Sequence, residues 1–184
     1  MKQNNLNVLI AISLIAVAVG MRVINAEMNL PNFAPIGAIG LFSAAILKDK
    51  RVLALSIPFL GQFAADLYFH FFTSVGGFYP GMGFNYAALL AATCLGFGMK
   101  EMKPVNILGF ILGASTIFFL ISNLGYFISG YNGYSFAGFN KTYIDAIPFY
   151  KNTLVGDLVG GVVLFSAYFA AQAIALQKAK RVQA

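Results

Sequence analysis

Three polar side chains, Gln62, Asp66 and His70, recur every four residues in an otherwise apolar stretch. On a helix that spacing puts them on one face. A carboxylate one turn from an imidazole raises the imidazole's basicity or fixes its tautomer. Asp66 and His70 therefore form a candidate ligand-binding pair, with His70 a candidate metal ligand; the alternative is an interfacial histidine held by its own helix. Arg22 and Asp157 also stand at or inside apolar runs. Unpaired charge in hydrocarbon costs several kcal/mol. Arg22, Asp66 and Asp157 are thus expected either to form one buried ion network that ties helix ends together or to touch a ligand directly. Asn32, Asn85 and Asn123 add amides and Tyr143 a hydroxyl, and with Asp66, His70 and Asp157 they make the candidate substrate-binding set.

Little else in the chain offers chemistry. There is no Ser-His-Asp set with supporting context, no HExxH and no Gly-rich phosphate loop with lysine, so no enzyme and no cofactor are expected. An Asp66/His70 acid–base pair alone, without a nucleophile or metal cluster, is weak support for one. A single cysteine, Cys94, excludes an intramolecular disulfide and a multi-cysteine metal site, and a single histidine excludes a His cluster. Cys94 lies among small residues and is expected to be inert core.

The elements that must position these groups are apolar. Of 184 residues 59% are hydrophobic and only 10% charged, against about 25% charged in soluble domains, so lipid is the natural solvent. Six apolar segments run approximately over 7–22, 32–47, 52–69, 83–99, 104–129 and 152–177, giving a single all-α integral membrane domain, a bundle of six transmembrane helices. Charged punctuation falls at Lys48-Asp49-Lys50-Arg51, at Lys100-Glu101-Met102-Lys103 and at Lys178-Ala179-Lys180-Arg181. With both termini cytoplasmic, these residues and Lys2 are inside, and only Arg22, Lys141 and Lys151 are outside. That bias fits the positive-inside rule and accounts for the net charge of +6 without nucleic acid. The first segment also has the outline of a signal peptide, with Lys2, the run 8–20 and Ala26, but an uncleaved span is preferred.

In this arrangement the polar groups are lopsided. Arg22, Asn32, Gln62, Asp66, His70, Asn85, Asn123 and Asp157 all fall in the outer half, whereas the inner halves carry only Asn106 and Gln172. A channel or proton relay needs polar groups through the whole depth; a site open to the outside does not. Eight of nine tyrosines, all but Tyr168, also fall at or beyond the outer end. They suit either a pocket wall or a one-sided aromatic belt. The second segment has only twelve residues, 36–47, after the prolines Pro31 and Pro35, too few for a ~30 Å core. Such a short, Pro-interrupted span points either to a transporter binding site or to an external loop entering a tilted helix. The stretch 130–151 is expected to be a long, aromatic external loop.

At Arg22, Pro31-Asn32-Phe33-Ala34-Pro35, Ala65-Asp66 with His70, and Ala146-Ile147-Pro148-Phe149-Tyr150-Lys151-Asn152-Thr153 with Gly156-Asp157, the chain resembles a family of small bacterial membrane proteins. That family is related to the S-components of energy-coupling-factor (ECF) vitamin transporters, including solitary cobalamin-uptake relatives. The resemblance implies a six-helix fold in the bacterial cytoplasmic (inner) membrane with an extracytoplasmic pocket capped by the loops between helices 1 and 2, 3 and 4, and 5 and 6. It implies binding and uptake of a small vitamin-like nutrient, cobalamin-type or other. Partners would be that substrate, the lipid bilayer and an energising ATPase and transmembrane module, which such components engage through small residues on the first helix; Ala16 and Gly20 match in part. The cobalamin relatives use a cysteine as cobalt ligand. Cys94 lies too deep for that, roughly 17 Å below the start of its helix, which leaves His70 as the better-placed cobalt ligand. The competing expectation is a non-transporting structural subunit of a larger membrane complex, whose polar layer binds another subunit.

Overall fold

A computed structural model describes residues 3–28, 33–74 and 76–183, with side chains described over 7–28, 33–74 and 76–177. The described residues form six helices and no strand: α1 Gln3–Glu27, α2 Ile36–Ile46, α3 Arg51–Phe72, α4 Met82–Phe97, α5 Pro104–Ile128 and α6 Phe136–Gln183. α1, α3, α5 and α6 are long and apolar enough to cross a membrane, whereas α2 and α4 are shorter apolar helices. Large apolar side chains stand exposed along the outer faces, among them Val8, Leu9 and Ile12 on α1, Leu108 and Leu112 on α5, and Val159, Val162 and Val163 on α6. Faces of this kind suit a membrane protein whose solvent is hydrocarbon.

The shortest helix is the hub. α2 has 11 residues, about 16 Å, and packs against all five others, which surround it. Nine of its residues are buried, because it is apolar on every side and can only be stable inside protein. Small residues let its neighbours close in. Gly40 lies under the Thr93 side chain of α4, and a methyl group at Gly96 of α4 would lie 2.5 Å from the Leu41 carbonyl. Pro35 ends α2 at its N-terminal side, where it occupies the N-cap position. α1 and α6 flank α2 without touching each other among the described residues.

One bond explains how α2 and α3 tolerate each other. Pro58 lies inside α3 and has no N–H, so the carbonyl of Ala54, one turn earlier, loses its helical donor. Both residues are buried, where water cannot substitute. The Ser43 hydroxyl of α2 lies 2.9 Å from that carbonyl and 2.8 Å from the Gly40 carbonyl on its own helix. A side chain on α2 thereby fills the gap that the proline opens in α3.

Two sequence expectations change. The segment expected as a loop over 130–151 is helical from Phe136, so α6 runs for 48 residues, about 72 Å. Ser135 caps it, its Oγ accepting the Gly138 N–H at 3.1 Å. The aromatic residues that looked like loop or lid are a helical stripe: Phe139 packs on Phe127, and Tyr143 and Tyr150 on Phe119, all from α5. Pro148 removes one backbone bond from this helix without ending it. Cys94, expected in the core, is exposed; α4 turns Thr93 inward to α2 instead, which carries its neighbour Cys94 to the outer face.

The two loops with charged punctuation lie together at one end of the bundle, where Lys48 donates through Nζ to the Met99 carbonyl. The connector described over 73–74 and 76–81 and the turn 129–135 lie at the other end, and the polar groups gather there.

Candidate functional site

At that second end the helices enclose a cavity of about 600 Å³. Each helix contributes. α1 brings Arg22, Asn25 and Ala26, α3 brings Gln62, Asp66 and Phe69, α4 brings Asn85 and Leu89, α5 brings Phe118, and α6 brings Thr153 and Asp157. The start of α2 with Ala34, Ile36 and Gly37, and the connector with Gly76, Gly77 and Tyr79, complete the lining. A second cavity of about 210 Å³ adjoins it, sharing Tyr79, Asn85, Phe118 and Thr153 and reaching Asn123 and Tyr150.

Asp157 forms the floor and is 1% exposed. Its Oδ1 accepts the Ala38 N–H at 2.9 Å and its Oδ2 the Ser115 hydroxyl at 2.8 Å. The first N–H groups of any helix lack intrahelical partners, and Pro35 at the N-cap offers no side-chain acceptor. Asp157 therefore caps α2 from another helix, its negative charge meeting the positive end of the helix dipole. A methyl group at Gly37 would lie 2.5 Å from Oδ2, so this approach needs glycine. Gly156 and Gly160 on either side of Asp157 admit the Phe33 carbonyl and the Pro35 ring, which seats the start of α2 on α6.

Asp66 anchors the wall. Arg22 Nη1 lies 2.9 Å from its Oδ1. The Tyr86 hydroxyl donates to Oδ2 at 2.6 Å, and Gln62 Nε2 at 3.1 Å. The Arg22 guanidinium also stands over the Phe69 ring at 5.4 Å and donates to the Gln62 carbonyl at 3.3 Å. The connector folds onto this cluster: Gly77 lies against the Asp66 carbonyl with no room for a side chain, and Gly76 has φ +74°. Tyr79 in the connector receives the Asn85 amide on its hydroxyl. Burial, and next the Asp66 charge, raise the Tyr79 pKa above its ordinary value, so it stays protonated and able to donate.

The expected single ion network is thus two clusters. Arg22 and Asp66 pair, while the Asp157 oxygens are taken by α2 and Ser115, because the helix end competes for that carboxylate and stands closer to it. The expected Asp66/His70 pair does not form. His70 is exposed, with its ring against Phe71 at 4.9 Å and Phe78 at 5.1 Å, and does not line either cavity. Four residues of helix advance about 400°, so His70 is displaced about 40° and one turn outward from Asp66. Among the described residues no three His, Cys, Asp or Glu side chains are grouped to hold a metal. Tyr143 also lies off both cavities; its hydroxyl donates to the Leu120 carbonyl at 2.9 Å. Asn85 lines both cavities and Asn123 the smaller one, where its Nδ2 donates to the Phe119 carbonyl at 2.7 Å. Asn32 lies outside the described residues.

Sequence reasoning missed Asn25. It is 6% exposed, lines the large cavity, and its Nδ2 has no hydrogen-bond partner among the described residues. Its signal was available: it stands three residues after Arg22, on the same face, but the first helix was expected to end at Arg22 and runs to Glu27. Ser115 and Thr153 were missed because hydroxyls are too common for their types alone to mark a site, whereas Tyr79 and Tyr86 belong to the outer tyrosines expected either as a pocket wall or as an aromatic belt.

Residues 2–179 match the model of a family described as a family of unknown function, DUF6580, and the chain belongs to that family. No curated protein and no solved structure matches it.

Proposed function

We propose that this DUF6580 family member is the substrate-binding component of a membrane uptake system for a small, vitamin-like nutrient. The single observation that carries the proposal is the cavity of about 600 Å³ at one end of the bundle, walled by apolar side chains with a few convergent polar groups. That size and lining suit a small organic ligand. In the proposed topology the chain crosses the bacterial inner membrane several times with both termini cytoplasmic. The basic loops around Lys48 and Lys100 then face the cytoplasm and the cavity opens to the outside. Additional support comes from the motif likeness to ECF S-components around Arg22, Asp66 and Gly156-Asp157. Release to the cytoplasm requires reorientation of the bundle or of its cavity end, driven by a separate ATPase complex.

The test is native mass spectrometry of the full chain purified in mild detergent from its own host membranes. A bound small molecule is expected, and it should be lost in Thr153→Trp, which puts an indole into the cavity. Preparations that are empty, and stay empty when offered host-cell extract, would overturn the proposal. Topology is tested by labelling single cysteines at Thr73 and Lys100, placed in a Cys94→Ala background: a membrane-impermeant maleimide should reach the first and not the second in intact cells.

A further inference from the structure

The cavity's charges are already spoken for. Asp66 holds Arg22, Tyr86 and Gln62, and Asp157 holds the Ala38 N–H of α2 and the Ser115 hydroxyl. Among the described residues no lysine lines the space. An ionised ligand would therefore enter a low-dielectric site with no counter-charge left to meet it, at a desolvation cost that the apolar walls of Phe69, Leu89 and Phe118 do not offset.

Among the described residues one buried polar atom has no partner. The Asn25 carboxamide is more than nine-tenths buried and lines the cavity, and its Nδ2 donates to nothing among the described residues. Buried donors of this kind are rare in proteins and call for an explanation. An amide N–H group can only donate, so its missing partner is an acceptor.

We infer that the cavity selects an uncharged small molecule through a carbonyl-type acceptor oxygen placed on Asn25 Nδ2. The inference rests on the proposed binding function and names the chemical class that the same site takes. A carboxylate ligand would instead compete with Asp66 for Arg22, and an ammonium ligand would compete with the Ala38 N–H for Asp157; either would dismantle a cluster that supports the fold. A neutral carbonyl compound leaves both intact and satisfies the donor that is buried without a partner. The Asn25 amide then acts before and after binding in opposite senses: it is a cost to the empty protein and a gain to the complex.

The experiment uses the full chain in lipid nanodiscs and three matched fragment sets on common aromatic rings: primary carboxamides, carboxylates and aminomethyl compounds. Binding is read by saturation-transfer NMR. Thr153→Trp identifies cavity binders, and Asn25→Leu tests the donor. The carboxamides are expected to bind and the two charged sets not to. Carboxamide affinity should fall about tenfold to a hundredfold in Asn25→Leu, corresponding to the loss of a buried hydrogen bond. Ligand-free Asn25→Leu should melt at or above the wild-type temperature, because leucine removes an unsatisfied donor while keeping the volume. A damaged fold would lower it, and Asn25→Gln, which keeps the amide, then serves as the second variant and should retain carboxamide binding above Asn25→Leu. Charged fragments that bind with carboxamides excluded, or carboxamides that bind Asn25→Leu as tightly as wild type, would overturn the neutral-ligand inference and leave the binding function standing. Failure of all three sets to bind the cavity would overturn the binding function itself, and this inference with it.

Discussion

Replacing Asp157 by alanine removes the cap on which the central helix depends. α2 has only 11 residues and contacts every other helix, so losses at its N-terminus reach the whole bundle. In Asp157→Ala the Ala38 N–H and the Ser115 hydroxyl lose their acceptor at a position 1% exposed, where water does not readily replace it. Two unsatisfied buried donors cost about 1–2 kcal/mol each, and the lost charge at the helix terminus about 1 kcal/mol more. The sum, about 3–5 kcal/mol, is more than a hundredfold in the unfolding constant. Asp157→Asn should lose less, about 1–2 kcal/mol, since its carbonyl oxygen still accepts from Ala38 while its amide can donate to Ser115 Oγ. The assay is equilibrium unfolding by SDS titration in mixed micelles, without added ligand, following helix content and a probe at the end of α2. An Asp157→Ala protein within about 0.5 kcal/mol of wild type would refute the capping role. So would an asparagine variant as damaged as the alanine variant, since that would place the whole effect in the charge and none in the bonds.

Other perturbations separate the remaining contacts. Ser43→Ala leaves the Ala54 carbonyl freed by Pro58 without a donor and should cost about 1–3 kcal/mol; the double variant Ser43→Ala/Pro58→Ala should recover most of it, as SDS titration will show. Arg22→Met strands the Asp66 carboxylate among Tyr86 and Gln62 and should destabilise by about 3–5 kcal/mol, whereas Arg22→Met with Asp66→Leu should lose much less; equal losses in both would exclude a coupled pair. Gly37→Ala places a methyl group against the Asp157 carboxylate and should lower the melting temperature in detergent by several degrees, while Gly83→Ala, with open space beside it, should not. Cys94→Ala should change stability by less than about 1 kcal/mol, because the thiol projects from the bundle; a core-sized loss would put Cys94 back inside.

Hydropathy and charge alone determined the all-α class, the number of helices and most of their limits, because a helix that must bury 20 or so apolar residues leaves a long signal and basic loops interrupt it sharply. The same economy of polar residues made Arg22, Asp66, Asn85 and Asp157 conspicuous: in so apolar a chain each ionisable or amide group needs a partner. What the partners are was decided by tertiary structure. His70 and Asp66 share a helix face, yet the imidazole packs on Phe71 and Phe78 off the cavity, while Asp66 turns to Arg22 and Tyr86, 44 and 20 residues away. Asp157 looked like one more charge for the same network, and only the docking of α2 across Gly156 and Gly160 makes it a helix cap. Aromatic residues on both sides of Pro148 read as loop because the period that orders them, 139, 143 and 150, gains its meaning only once α5 supplies Phe127 and Phe119 to pack against. Local sequence sets periodicity and cost; which of several equally suitable partners meets a given polar group depends on helix rotation and on glycine-permitted approach, and those are properties of the packed bundle as a whole.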